Sequence, residues 1–346
     1  MKKVLLVLLL LTVAGGLFAQ VTWNGIVRTG FNATLADGDT DWNVNWTSLT
    51  SRFQMTYRNS EGTFGGRLRL QLGLNGAAPS PFFNTYYGWF TMFDKTLKVL
   101  GGKWADGEFT ELKWSGGEIY WSNARYGIQT IYYTPIEGLR LGIGSQAAAL
   151  NGTTTFSDLC LWYGLAYEGD NFGVYLQGSI QDGDAASTSG TNIVLSGYVN
   201  IDPALVVLYA DFKRLDDFDA KGKIALGQYV SLDVVEDVDI ELYSEQTLYG
   251  NGDDAGVYVA LGFGYNLDGP FPYLGLDLVC ALSGDPTTGS AQMGIGYGKY
   301  LSFSPYLRFG LGAGSKYVEL GYEGVVGFDD PSTFDNSLWL RFYWTF

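Results

Sequence analysis

The sequence predicts an all-β fold: a single closed antiparallel transmembrane β-barrel of about 18 strands, with 16 as the alternative. Three observations carry this. Leu338, Leu340, Phe342, Trp344 and Phe346 occupy every second position of the final segment, so a strand there has one continuous apolar face. At the other end, Met1-Lys2-Lys3 precedes an unbroken apolar run from Val4 to Leu11 and small residues at Ala14, Gly15, Gly16 and Ala19, the layout of an export leader. Between them no apolar run approaches the ~18 residues of a spanning helix. Yet 47% of the residues are hydrophobic and 16% charged, where soluble domains carry about 25% charged residues. A barrel reconciles these facts, because its lipid-facing apolar residues alternate with polar interior ones.

Taken in order, residues 1–19 read as a signal peptide and residues 20–346 as the barrel. Gln20 rather than Cys follows the cut, so lipid attachment at this point is not indicated. The first strand sets Trp23, Val27, Phe31 and Leu35 against Asn24, Arg28, Asn32 and Thr34. The second sets Phe53, Met55 and Tyr57 against Arg52, Gln54, Thr56 and Arg58, and 59–62 is the turn after it. The third alternates Leu68, Leu70, Leu72 and Leu74 with Arg67, Arg69 and Gln71. Further alternating segments fall near 82–93, 96–104, 119–133, 139–147, 156–167, 172–180, 192–201, 204–213, 223–233, 238–248, 256–266, 272–282, 290–299, 303–313, 316–327 and 337–346.

Tight turns at 93–96, 134–138, 168–171 and 201–204 alternate with longer connections such as 105–118, 181–191 and 283–289. That asymmetry is characteristic of barrels with short periplasmic turns and long external loops. These segments make an odd set, whereas a single-chain barrel with both ends on one side needs an even one. Treating Gly-Ala-Gly-Ser at 312–315 as a bend within one strand gives about 18, and one further merger gives about 16. Aromatic residues such as Tyr132, Tyr133, Tyr163, Tyr167, Tyr265, Tyr343 and Trp344 suit interfacial girdles, where a ring is apolar and its polar tip wet. A secreted β-sandwich, β-helix or propeller would bury its apolar faces inward instead.

Charge and composition exclude several functions. The net charge is −15, and losing Lys2 and Lys3 with the leader makes it −17. Nucleic acid, which needs a basic face, is therefore not an expected partner. The chain has no histidine, so Ser/His and Asp/His hydrolase mechanisms fall away, as do histidine metal sites. No catalytic residue, metal or cofactor is expected. Cys160 and Cys280 sit in apolar strands, the first facing inward and the second outward, so they are not expected to pair.

The run Ile128-Gln129-Thr130-Ile131-Tyr132-Tyr133-Thr134-Pro135-Ile136-Glu137-Gly138-Leu139-Arg140-Leu141 resembles the strand–turn–strand of Gram-negative outer-membrane porins. Tyr87 to Phe90, Asp94 to Lys98 and Gly101-Gly102-Lys103 are similar to a porin hairpin ahead of the third loop. The terminal aromatic row Phe342, Trp344 and Phe346 is similar to the strand read by the barrel-assembly machinery, although 337–346 lacks the glycine of one common form.

The resemblance implies a passive channel, not an enzyme. It also implies a homotrimer in the lipid bilayer of the outer membrane, and an acidic third loop folded into the lumen against arginines. Here that loop is 105–118, with Asp106, Glu108, Glu111 and Glu118. It is shorter than its counterparts in the general porins. Alternation points Arg28, Arg52, Arg67 and Arg69 inward. Arg341 joins them if the last strand closes against the first, giving one basic wall. The expected function is a water-filled channel for ions and small hydrophilic solutes. The alternative is a non-conducting adhesin or structural barrel acting through acidic loops.

Overall fold

The alternating strands form one antiparallel sheet whose two ends meet. In the computed structural model, residues 19–346 are described except 37–38, 44–49, 74–79, 105–108, 110–124, 148–159, 182–189, 251–255, 268–272, 284–298, 312–315, 329–333 and 346. The strands are β1 (Ala19–Ala36), β2 (Asp39–Asn43), β3 (Thr50–Asn59), β4 (Phe64–Gly73), β5 (Ser80–Met92), β6 (Leu97–Trp104), β7 (Arg125–Tyr133), β8 (Leu139–Ala147), β9 (Cys160–Glu168) and β10 (Phe172–Gln181). They continue with β11 (Gly190–Ile201), β12 (Ala204–Lys213), β13 (Lys223–Val235), β14 (Val238–Tyr249), β15 (Gly256–Asn266), β16 (Tyr273–Ser283), β17 (Tyr300–Gly310), β18 (Lys316–Gly327) and β19 (Phe334–Thr345). A 3-10 turn, Leu215–Asp217, and a helical turn, Phe218–Lys221, lie between β12 and β13.

From β3 onward each strand pairs antiparallel with the next, and β19 returns to β1 over Ile26–Leu35 and Asn336–Thr345. Bulges interrupt the register between β4 and β5, β13 and β14, and β15 and β16. On its other edge β1 pairs with β3 through Ala19–Ile26 and with β2 through Asn32–Ala36. The two short strands therefore share one position in the wall, and the barrel has 18 staves.

The count of about 18 holds, but not for the reason the sequence offered. The proposed bend at 312–315 joins two separate strands: β17 and β18 pair from Tyr300↔Gly327 to Gly310↔Tyr317, and the Leu311 N–H donates to the Lys316 carbonyl at 2.8 Å. The surplus segment was 290–299. All of it but Lys299 lies outside the described residues, and β16 pairs directly with β17, leaving no stave between them. The predicted strand starts at 119 and 156 likewise fall outside the described residues; β7 begins at Arg125 and β9 at Cys160.

β16 shows how the sequence sorts its faces. Leu274, Leu276, Leu278, Cys280 and Leu282 face outward, with Leu274 39% and Leu282 50% exposed, while Tyr273, Gly275, Asp277, Val279 and Ala281 face the interior. Leu141, Ile143, Leu195, Leu208, Leu226, Leu320 and Leu338 extend the exposed apolar surface around the barrel. Left in water, such a belt would cost about 25 cal/mol per Å²; against lipid the penalty disappears.

Tyr132, Tyr265 and Trp344 stand outward near strand ends, whereas Tyr133 and Tyr343 point inward. Both cysteines are free, Cys160 on the inner face and Cys280 on the outer. Several inner glycines seat a neighbouring ring. A Cβ at Gly321 would lie 2.2 Å from the Trp339 indole, so this rung admits no side chain without moving the tryptophan.

Candidate functional site

The register of β3 and β4 places three arginines together on the inner face. Arg52 opposes Gln71, Gln54 opposes Arg69, and Thr56 opposes Arg67. Arg69 Nε donates to Gln54 Oε1 at 2.9 Å, and the Arg67 guanidinium lies over the Tyr87 ring at 5.9 Å. Arg52 and Arg67 are close enough for Arg69 to feel both charges. Among the described residues none of the three has a carboxylate partner. Arg28 pairs with Tyr343 in the register of β1 and β19, and its side chain lies outside what is described.

Arg341 also faces inward, but its setting differs from that of a free basic wall. Its Nη1 donates to Glu319 Oε1 at 3.1 Å, and its guanidinium lies 4.6 Å from the centroid of the Trp339 ring. Glu319 additionally accepts Trp339 Nε1–H at 3.0 Å and Arg308 Nη2–H at 3.1 Å. Arg308 in turn lies over the rings of Tyr317, Tyr273 and Tyr306, at 4.4, 5.1 and 5.4 Å. Arg341 thus completes a carboxylate-centred cluster.

Sequence reasoning missed the acids of that wall. On the inner face of β12–β18 stand Asp211, Glu241, Glu245, Asp277, Glu319 and Glu323. Glu245 is 3% exposed and accepts hydroxyl hydrogens from Tyr243 at 2.8 Å, from Thr247 at 3.1 Å and from Tyr209. Tyr229 donates to Glu241 at 3.0 Å. Hydroxyl donors lower the cost of holding carboxylates on a partly dry wall. The signal was present as Asp239, Glu241, Tyr243, Glu245 and Thr247 on alternate positions.

The other missed residue is Phe109, an isolated aromatic in the acidic connection after β6. It is fully buried on the inner wall, edge-on to Trp162 at 5.1 Å. It rests over the inward glycines Gly142 and Gly164, where an added Cβ would meet its ring at 2.6 Å in each case. Arg140 lies over the same ring at 5.8 Å and pairs with Glu168 at 2.8 Å. The connection is therefore pinned inside the barrel at this residue. Asp106, Glu108, Glu111 and Glu118 lie outside the described residues. Of the terminal aromatic row, Phe342 and Trp344 face outward, 37% and 50% exposed, and Phe346 lies outside the described residues.

No family model and no curated protein matches the chain. Solved structures do. OccK2 (OpdF) of Pseudomonas aeruginosa aligns with TM-score 0.58 at 11% identity, over 94% of this chain and 97% of that one. The outer membrane protein OprD of the same organism aligns with TM-score 0.56 at 14% identity, over 94% of each. A mutant of Rh. blastica porin aligns with TM-score 0.50 at 13% identity, over 94% of this chain and 100% of that one. OccK2 has also been crystallised with glucuronate. The fold is that of an outer-membrane porin-type barrel.

Proposed function

We propose that the chain forms a water-filled channel in the outer membrane for passive diffusion of ions and small hydrophilic solutes, with residues 1–19 as its export leader. The observation that carries this reading is the division of charge on the inner wall. From β3 to β8 the inward ionic residues are basic: Arg52, Arg58, Arg67, Arg69, Lys98 and Arg140. From β12 to β18 acids outnumber bases. Two opposed charged surfaces within one lumen need water to solvate them, and their field acts on whatever polar solute enters.

In this proposal the segment pinned by Phe109 narrows the lumen. Its acids Asp106, Glu108 and Glu111 act there with Arg28, Arg52, Arg67 and Arg69. The test is reconstitution of refolded protein in planar bilayers, where stepwise conductance is expected. Liposome swelling with a neutral sugar and with glucuronate then separates size from charge selection. A barrel that inserts and stays silent in both assays overturns the channel and leaves the non-conducting surface protein.

A further inference from the structure

Two glycines face each other across β8 and β9 on the inner wall, Gly142 opposite Gly164. At Gly227, Gly264, Gly275 and Gly321 the bare backbone is covered by a ring from the adjacent strand: Tyr209, Tyr273, Tyr306 and Trp339 in turn. The Gly142–Gly164 pair differs, because part of its cover is Phe109, which belongs to no strand. The two glycines therefore make a flat seat that receives a ring from the lumen side.

The seat is bordered by polar atoms that a phenyl ring cannot satisfy. Trp162, edge-on to Phe109, is fully buried, and its Nε1–H has no acceptor among the described residues. Gln177 stands directly opposite Gly164 on β10 and is 2% exposed, and its Oε1 has no donor among them. Buried donors and acceptors are rarely left so, since each forfeits the hydrogen bond it had with water. Phe109 fills the seat by shape and leaves both atoms unpaired. A ring of the same size bearing a hydroxyl supplies what is lacking, because a hydroxyl oxygen accepts from an N–H and its hydrogen donates to a carbonyl. The Arg140 guanidinium, 5.8 Å from the Phe109 ring centroid, favours an aromatic occupant over an aliphatic one.

We propose that Phe109 occupies a binding seat for a small phenolic solute, which competes with the Phe109 ring for the floor made by Gly142 and Gly164. The seat requires a folded barrel and is independent of whether the lumen conducts, so its failure is distinct from failure of the channel reading.

The test is equilibrium dialysis of phenol, and of toluene as a ring without the hydroxyl, against refolded protein in detergent, with detergent-only blanks. Phe109→Ala removes the competing ring, and the apparent affinity for phenol is expected to rise roughly tenfold or more over the wild-type protein as the fraction of open seats rises. Adding Trp162→Phe and Gln177→Leu to Phe109→Ala should lower the ratio of phenol to toluene affinity roughly tenfold, the order expected for one buried hydrogen-bonding group. Gln177→Leu without the tryptophan change carries the same test with a smaller fall. Gly164→Val, added to Phe109→Ala, fills the floor and should abolish binding of both rings. Heat-modifiable gel mobility reports which variants have folded. Any of three results in folded protein overturns the proposal: equal phenol affinity in the wild-type and Phe109→Ala proteins, a phenol-to-toluene ratio unmoved by loss of the two polar groups, or phenol binding undiminished by Gly164→Val.

Discussion

Phe109→Ala removes the one described point at which the connection between β6 and β7 is fixed to the inner wall. The ring is fully buried, between Trp162 and the bare backbones of Gly142 and Gly164. Burying a phenylalanine side chain is worth ~1.5–3 kcal/mol, and an edge-on aromatic pair adds ~0.5–1.5 kcal/mol. Losing both shifts the pinned-to-released equilibrium by about 2–4 kcal/mol, or roughly 30- to 1,000-fold. Filling the seat from the other side gives an independent route to the same state. In Gly164→Val the new Cβ lies 2.6 Å from the ring, so ring and side chain cannot both remain.

Single-channel recording in planar bilayers is the assay, with heat-modifiable mobility as the check on folding. Both variants are expected to show larger or noisier open states than the wild-type protein, and to resemble each other more than either resembles it. Two folded variants with wild-type conductance and wild-type noise would refute the idea that Phe109 holds a lumen-narrowing segment.

Other expectations follow from the same geometry. Reversing charge in Arg67→Glu/Arg69→Glu should move the reversal potential in a salt gradient toward cation preference; an unchanged potential rejects the arginine patch as a selectivity element. Glu319→Gln leaves Arg308 and Arg341 facing each other without their shared carboxylate, and should lower stability by about 2–4 kcal/mol, the lower end reflecting the part-exposed Arg308. Urea-titrated gel mobility measures this, and adding Arg341→Met should recover part of the loss. A lipid-soluble maleimide should label Cys280 and spare Cys160 in the folded protein, since the first faces lipid and the second is 2% exposed on the inner wall.

Period-2 alternation was enough to assign faces. It put Arg52, Arg67 and Arg69 inward, Cys280 outward and the row Leu338 to Trp344 against lipid, because each strand obeys the same pleat whatever its partner. Strand ends were less legible. The segment 290–299 alternates as a strand does, yet pairing is a property of two segments, and β16 already had β17. Gly312 to Ser315 looked like a bend for a related reason: 303–327 alternates with little interruption on either side, and only the register Gly310↔Tyr317 reveals the reversal of direction. Phe109 was harder still. Nothing local says that a lone phenylalanine in a polar connection will find two glycines on strands that lie on either side of another long loop.

Arg341 shows the same boundary at the level of function. Its sequence position fixes its face, and closure of β19 on β1 fixes its neighbours on one side: Gly30 opposite, with Arg28 two residues along the same strand. Those alone would make it the end of a basic wall. Its other neighbour, β18, supplies Glu319 directly opposite, and β17 supplies Arg308 beyond it. Two guanidiniums around Glu319 keep a net positive charge, but the inward acids Asp277 on β16 and Glu323 on β18 offset it, so this stretch adds less field than the unopposed positive charge of Arg52, Arg67 and Arg69. The basic face of the lumen is therefore centred on β3 and β4, and the closing strand marks its edge. Selectivity should accordingly respond strongly to substitutions on those two strands. At Arg341 the first property to change should be stability, because the residue's main partner is a carboxylate of the wall.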